Sequence, residues 1–393
     1  MRHLTTLLVA AMAATALQSR ADTITDWNTK AGELIAEARL GTPPAIRVMA
    51  IVQTAAMQAA QAAPARDAAA ADAAVAAAHR ATLSKLLPAQ QASIDAAYQA
   101  ALAAIPASGP RTAGIALGEK AAAQVLAQRA DDGAATPESY RPHASAGAYV
   151  PTVTPAVTQW SQRKPWLMAS TAQFRPGPPP ALGSETWARE YNEVKALGAR
   201  SSQQRSAEQT DAARFWEYSL PAIYFGVVRS VALQPDRDLV RNARLYAATA
   251  QAMDDAMMAV FDAKYHYNLW RPVTAIRNGD IDGHDATERD ASWAPLIDNP
   301  MHPEYPSGHS ILASAVATVV KAEIGDGPMP VLSTSSPSAK GATRRWTSLE
   351  DFVREVSQAR IHAGIHFRSA TVAAEDMGRR IGELAAARLR MAP

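Results

Sequence analysis

The chain has 393 residues, 48% of them apolar and 6% aromatic, with 39 basic and 37 acidic side chains and no cysteine. That balance gives no basic footprint for nucleic acid. The missing cysteine excludes disulfides, thiolate metal sites and cysteine nucleophiles, and is compatible with an oxidising compartment. The length allows a large core or two fused helical bundles, and the alanine-rich composition favours closely packed helices over a sheet rich in valine, isoleucine and tyrosine.

Met1-Arg2-His3, a mostly apolar run over residues 4–17 and then Ser19-Arg20-Ala21 read as a secretory signal peptide cut after Ala21. The run is shorter than the roughly 18 to 20 apolar residues of a spanning helix. The expected location is therefore secreted or bacterial periplasm. Removing Arg2 and Arg20 takes the basic count from 39 to 37, equal to the acidic count. The expected division is residues 1–21 as leader, 22–200 as an N-terminal helical region ending in a Pro-rich connection, and 201–393 as a C-terminal helical domain carrying the site.

Thr25-Asp26-Trp27 carries capping residues for a first helix to about Leu40, and Thr42-Pro43-Pro44 opens a second helix, apolar nearly all round, to Ala63. Pro64, Pro88, Pro106 and Pro110 divide the following alanine-rich stretches into helical lengths, with a low-complexity linker as the rival reading of residues 68–78. Residues 131–182 hold too many prolines for a long helix. They also hold Trp160, Trp166, Leu167 and Phe174, which predicts an irregular connection lying across the bundle and shaping the entrance to a site. Helical patterning resumes at Thr186 and continues through residues 206–219, 221–234 and 236–264. No strand-like alternation, phosphate loop or constant repeat is evident, so the predicted class is all-α.

Three segments carry the chemistry. Lys264 and Arg271 are seven residues apart, which on a continuous helix puts them on nearly one face about 10 Å apart along the axis. Pro272 predicts that the helix ends near Arg271 and frees its guanidinium; a solvated basic face is the competing reading of this pair alone. Pro306-Ser307-Gly308-His309 precedes the apolar run 310–320, which places Ser307 at a helix cap and the Gly308 amide where an oxyanion is bound. His309 falls in the first turn. In Arg360-Ile-His-Ala-Gly-Ile-His366 a helix from Ser348 stops at Ala363-Gly364 and a new one starts near Arg368. On one helix Arg360 and His366 would diverge by about 120°, whereas a reversal at Gly364 aims both into one cavity. Together these residues make an oxyanion site with two histidines attached.

Lys with six residues before Arg-Pro, then Pro-Ser-Gly-His, then Arg with five residues before His resembles the signature of the vanadium-dependent haloperoxidase and type 2 phosphatidic acid phosphatase superfamily. The match covers about the last third of the chain, and Ala359 stands where that signature usually has serine before the arginine. The resemblance implies a helical-bundle enzyme with vanadate as cofactor, bonded by His366 and held by Lys264, Arg271, Ser307, Gly308 and Arg360, with His309 as the acid–base group. It implies that Lys264 polarises peroxide and that halide is oxidised to hypohalous acid, which halogenates a small organic acceptor. His302 stands where family bromoperoxidases carry histidine and chloroperoxidases an aromatic, which suggests bromide or iodide over chloride. The alternative in the same superfamily is a soluble secreted acid phosphatase without a metal, in which His366 attacks a phosphomonoester to form a phosphohistidine. A non-catalytic anion-binding helical protein is the third reading.

Overall fold

The computed structural model describes residues 22–391, and the expected leader lies outside them. Five N-terminal helices come first: α1 (Thr23–Glu37), α2 (Thr42–Ala62), α3 (Ala68–Leu86), α4 (Gln91–Ala103) and α5 (Gly109–Gln128). Asp22 caps α1 by accepting from the Thr25 amide, so the cap lies just ahead of the threonine and aspartate expected to supply it. The alanine run is a buried helix, not a linker. Ala73, Ala74, Ala76 and Ala78 of α3 are fully buried, and α5 lies against them so closely that a Cβ on Gly118 would stand 2.2 Å from the Ala74 carbonyl oxygen. Small side chains on α3 and glycine on α5 are what permit this spacing.

After the irregular stretch 129–184 come α6 (Glu185–Leu197), α7 (Ala207–Phe215), α8 (Pro221–Ala232), the long α9 (Leu239–Tyr267) and the short α10 (Pro272–Arg277). Then follow α11 (Gly308–Ile324), a two-stranded antiparallel hairpin of β1 (Leu332–Ser336) and β2 (Ala342–Trp346), α12 (Leu349–His362) and α13 (Arg368–Met391). The class is all-α apart from this hairpin, which sequence patterning had not marked. Its outer strand reads Ala-Thr-Arg-Arg-Trp with only Trp346 buried, so it lacks the apolar alternation by which a strand is recognised. One hydrophobic cluster joins Ile24 and Leu34 of α1, Met49 of α2, Phe225 of α8, Tyr246 of α9, Val316 of α11 and Phe352 of α12. The N-terminal and C-terminal helices thus share a core. Among the described residues no helix is long and apolar enough to cross a membrane.

The connection 129–184 is strapped down by buried charge. Arg163, fully buried, donates to both carboxylate oxygens of Asp254 on α9 (2.6 and 2.9 Å) and to Asp132 (2.8 Å), which also accepts from Arg47 of α2. Next to it Asp255 accepts the amides of Trp166, Leu167 and Met168 at 2.7 to 2.9 Å. Further along, the amide of Tyr149 donates to Asn268, the Trp270 amide to Gly147, and the Tyr305 hydroxyl to Gly177. The strap therefore grips the segments that carry Lys264, Arg271 and Ser307.

Candidate active site

Lys264 sits in the last turn of α9, which ends where Asn268 takes a left-handed φ of 50°. Arg271 is consequently not on the same helix: it is the extended residue before Pro272 (φ −79°, ψ 155°), and the one-face spacing read from the sequence does not apply. Both side chains still turn to one loop. The Lys264 ammonium donates to the carbonyls of Pro303, Glu304 and Pro306, at 2.9 and 2.8 Å for the first two. Burial, and then Arg271, push its pKa well below the ordinary lysine value. Three carbonyl acceptors nevertheless need three N–H groups, which only the charged form has. Arg271 donates to the carbonyls of His302 (2.9 Å) and Ile365 (2.8 Å) and to His302 Nδ1 (2.9 Å), and its Nη1 stands 3.5 Å from His366 Nε2. Because an arginine only donates, His302 Nδ1 accepts and its neutral ring carries the proton on Nε2.

Ser307 is the cap of α11, as its position before an apolar run predicts: its Oγ accepts from the Ser310 amide at 3.4 Å. Behind it the hydroxyl of Ser357 donates to Ser310 (3.0 Å) and that of Ser310 to Ser307 (3.1 Å). Gly308 opens the helix, and a Cβ there would meet only the Met257 methyl at 3.7 Å, so the side towards the cavity is clear. In the same turn His309 has an Nε2 with no hydrogen-bond partner. Burial, and then Arg360, hold its pKa well below the ordinary imidazole value, so the ring is neutral.

Arg360 projects from the last turn of α12 and donates through Nη1 to the Trp216 carbonyl, while its Nε is buried without a partner. Burial lowers its pKa to about 10, which leaves it charged at neutral pH. The reversal expected at Gly364 is present, with φ 79°; a Cβ there would lie 2.4 Å from the Gly198 carbonyl oxygen, so both the turn and the close approach require glycine. Beyond the turn His366 is buried with Nδ1 2.7 Å from Glu304 Oε1, an oxygen that also accepts the Phe367 amide at 2.9 Å. Burial raises the Glu304 pKa to about 7, against the pull of Arg271 and Lys264. With Nδ1–H given to a carboxylate, the lone pair of His366 is on Nε2.

Lys264, His302, Gly308, His309, Arg360 and His366 border one cavity of about 690 Å³. Arg271 and Ser307 do not border it: both are buried, Arg271 behind the two histidines it touches and Ser307 beneath Gly308. Ala156 and Val157 of the strap and Pro43 and Pro44 of α2 line part of it, so the connection contributes to the cavity wall. Lys264 and Arg271 act on the buried Glu304 carboxylate, and unpartnered donor-capable nitrogens of His309 and Arg360 lie at the wall. This set suits a bound oxyanion.

Residues 244–392 match the family model described as the VCPO second helical-bundle domain. Over 149 residues the chain is 28% identical to vanadium chloroperoxidase of Curvularia inaequalis, an alignment covering 31% of this chain and 24% of that protein. The chain thus spans about a quarter of the length of that curated relative. It is similar in fold to a structure described as the first bacterial vanadium-dependent iodoperoxidase (TM-score 0.77, 24% identity, covering 92% of this chain and 95% of the other). It is also similar to a holo-type bacterial vanadium-dependent chloroperoxidase (TM-score 0.68, 18% identity, 89% and 93% covered). Residues 244–392 thus resemble that helical-bundle domain, and the chain shares the fold of these bacterial vanadium-dependent haloperoxidase structures.

Against the superfamily signature, the residue that sequence reading missed is Glu304. It lies three before Ser307, between prolines, where nothing in spacing or charge distinguishes a buried carboxylate from a solvated one. Its role is visible only once the Gly364 turn brings His366 to it. Among the described residues no group of three or more His, Asp or Glu side chains gathers as a cation site. If vanadate binds here, Gly308 and Arg360 would hold its oxygens and His366 Nε2 would be the nitrogen available to its metal.

Proposed function

We propose that the chain is a vanadate-dependent haloperoxidase that oxidises halide with hydrogen peroxide to hypohalous acid, with bromide or iodide preferred to chloride. The observation that carries this reading is His366: it borders the cavity with Nδ1 held by Glu304, which leaves the lone pair on Nε2, 3.5 Å from Arg271 Nη1, and His309 Nε2 stands unpartnered at the same cavity. Bound vanadate supplies a Lewis-acidic centre that activates peroxide towards halide without changing oxidation state. The chain's own residues bind and orient. Arg360 and the Gly308 amide would hold the oxygens, and Lys264 and Arg271 hold the 302–306 loop while lending positive charge. His309, neutral at rest, takes or returns a proton at Nε2, and peroxide-driven halide oxidation consumes one proton per hypohalous acid formed.

The halide preference rests on His302, a polar ring fixed by Arg271 and set edge-on to Phe261 at the cavity wall. The proposal includes export to the periplasm or beyond on the strength of residues 1–21, and an N-terminus of Asp22 on the exported protein checks it. The main test loads the protein with orthovanadate and follows halide oxidation beside phosphomonoester hydrolysis by the vanadate-free form. Peroxide-dependent halide oxidation that is lost in His366→Ala supports the reading. Strong phosphatase turnover without halide oxidation replaces it with the phosphohistidine reaction, and neither activity leaves an anion-binding protein.

A further inference from the structure

Beyond the buried anion site, the same cavity has an outer part whose chemistry differs from its floor. Its cations are deep: Lys264 and Arg360 are 0% and 2% exposed, and both donate to backbone carbonyls. At the mouth the charged side chains are Glu217 and Asp298, both exposed and neither in an ion pair among the described residues. Beside them Asn299 has a buried Oδ1 with no hydrogen-bond partner. Between mouth and floor the wall is apolar, with Phe261 and Met257 on α9 and Met301, 49% exposed, on the loop. A volume of about 690 Å³ takes a whole organic molecule, far more than a halide ion.

The field of this mouth is a handicap for the small reactants. Halide and vanadate are anions and must pass two carboxylates to reach the cations within. An acceptor-rich rim above an apolar, aromatic wall matches instead a molecule with a positive charge at one end and an aromatic ring at the other. Anchored at the rim, its ring extends towards the floor where the oxidant forms.

We propose that the mouth binds the organic acceptor itself, and that this acceptor is a cationic, electron-rich aromatic compound, held by Glu217, Asp298 and Asn299 while its ring is halogenated in the cavity. The proposal rests on the haloperoxidase reading for its chemistry. Hypohalous acid gives its halogen to a ring carbon; the carbon–hydrogen bond breaks, and the released proton leaves with the hydroxide as water. Ring carbon is oxidised and halogen reduced, so no further oxidant is needed.

The test uses two phenols with the same two-carbon arm, one ending in a quaternary ammonium and the other in a carboxylate; the quaternary nitrogen cannot itself be halogenated. Both compete in one vessel for the vanadate-loaded enzyme at low salt, with reagent hypohalous acid giving the baseline product ratio. The expected result is enrichment of the halogenated cation over that baseline on the order of tenfold, shrinking as salt is added. The double variant Glu217→Gln/Asp298→Asn should remove the enrichment and move two KM values in opposite directions, up for the cationic phenol and down for halide. Loss of folding alone produces no such opposed shifts. A wild-type ratio equal to the baseline overturns the proposal, because halogenation then occurs in bulk solution. So does enrichment that survives in the double variant. Ligand-observed NMR on the vanadate-free protein separates this from the activity: binding of the cationic phenol, weakened in the double variant, supports the mouth site even if triiodide assays show no halide oxidation. Absence of binding there overturns it whatever the activity.

Discussion

At Glu304 a carboxylate with no access to water spends one oxygen on His366 Nδ1 and the Phe367 amide, and leaves its Oε2 without a partner. It fixes the tautomer and ring plane of the histidine expected to bond the anion, and partners of this kind are worth about ten- to a hundredfold in metal affinity. Glu304→Leu is expected to weaken orthovanadate binding at least about tenfold in equilibrium dialysis, whereas Glu304→Gln, which keeps an acceptor for both hydrogens, should stay within about threefold. Unchanged binding in the leucine variant contradicts the positioning role. The two histidines, three cations, cap serine and glycine were legible from sequence because motif spacing marks them. Glu304 was not, because a carboxylate acquires this meaning from burial and from the fold of a segment 62 residues away.

Two elements show how local sequence and tertiary context divide the work. The caps, the Gly364 stop and the start of α13 at Arg368 follow from local chemistry and were readable. The path of the strap was not, since Arg163, Asp254, Asp132 and Arg47 come from three distant segments and announce no pairing. Arg163 and Asp254 are fully buried, and breaking such a pair leaves a charge uncompensated. Arg163→Ala is expected to lower unfolding free energy by about 3 to 5 kcal/mol in urea titration, and a change below about 1 kcal/mol would mean that the strap is held mainly by its aromatic residues.

In the N-terminal helices, His79 is buried against Trp27 (ring centroids 5.2 Å apart) with Nδ1 2.9 Å from the Val75 carbonyl. Desolvation lowers its pKa from 6.5 to about 4. The unfolded chain therefore takes up this proton first as pH falls, and stability drops between those two values. The shift corresponds to about 3 kcal/mol. His79→Phe should remove that part of the acid sensitivity, seen as a urea midpoint that falls less than the wild type's between pH 6.5 and 4. Parallel curves for the two proteins would contradict it.

At the scale of the molecule, the long α9 is the organising element. It carries the strap's carboxylates along its length and Lys264 at its end, and it packs against helices from both halves of the chain. Composition and proline placement foretold an all-α protein with one irregular crossing segment, and only the small hairpin departed from that. What sequence spacing did not foretell is the layering of the site. Lys264 and Arg271 give most of their N–H groups to backbone carbonyls and so hold the 302–306 loop in shape, while His309, Arg360 and His366 face the cavity. On the proposed function, a bound anion would meet a preformed cage with His366 Nε2 as the nitrogen that bonds it. The most direct test is a crystal structure of the protein soaked with orthovanadate, using anomalous scattering to locate vanadium. The account predicts one vanadium bonded to His366 Nε2, with its oxygens on the Gly308 and Arg360 side of the cavity. Vanadium bound elsewhere, or His366 still turned to Arg271 with the cavity lacking it at saturating vanadate, would contradict it.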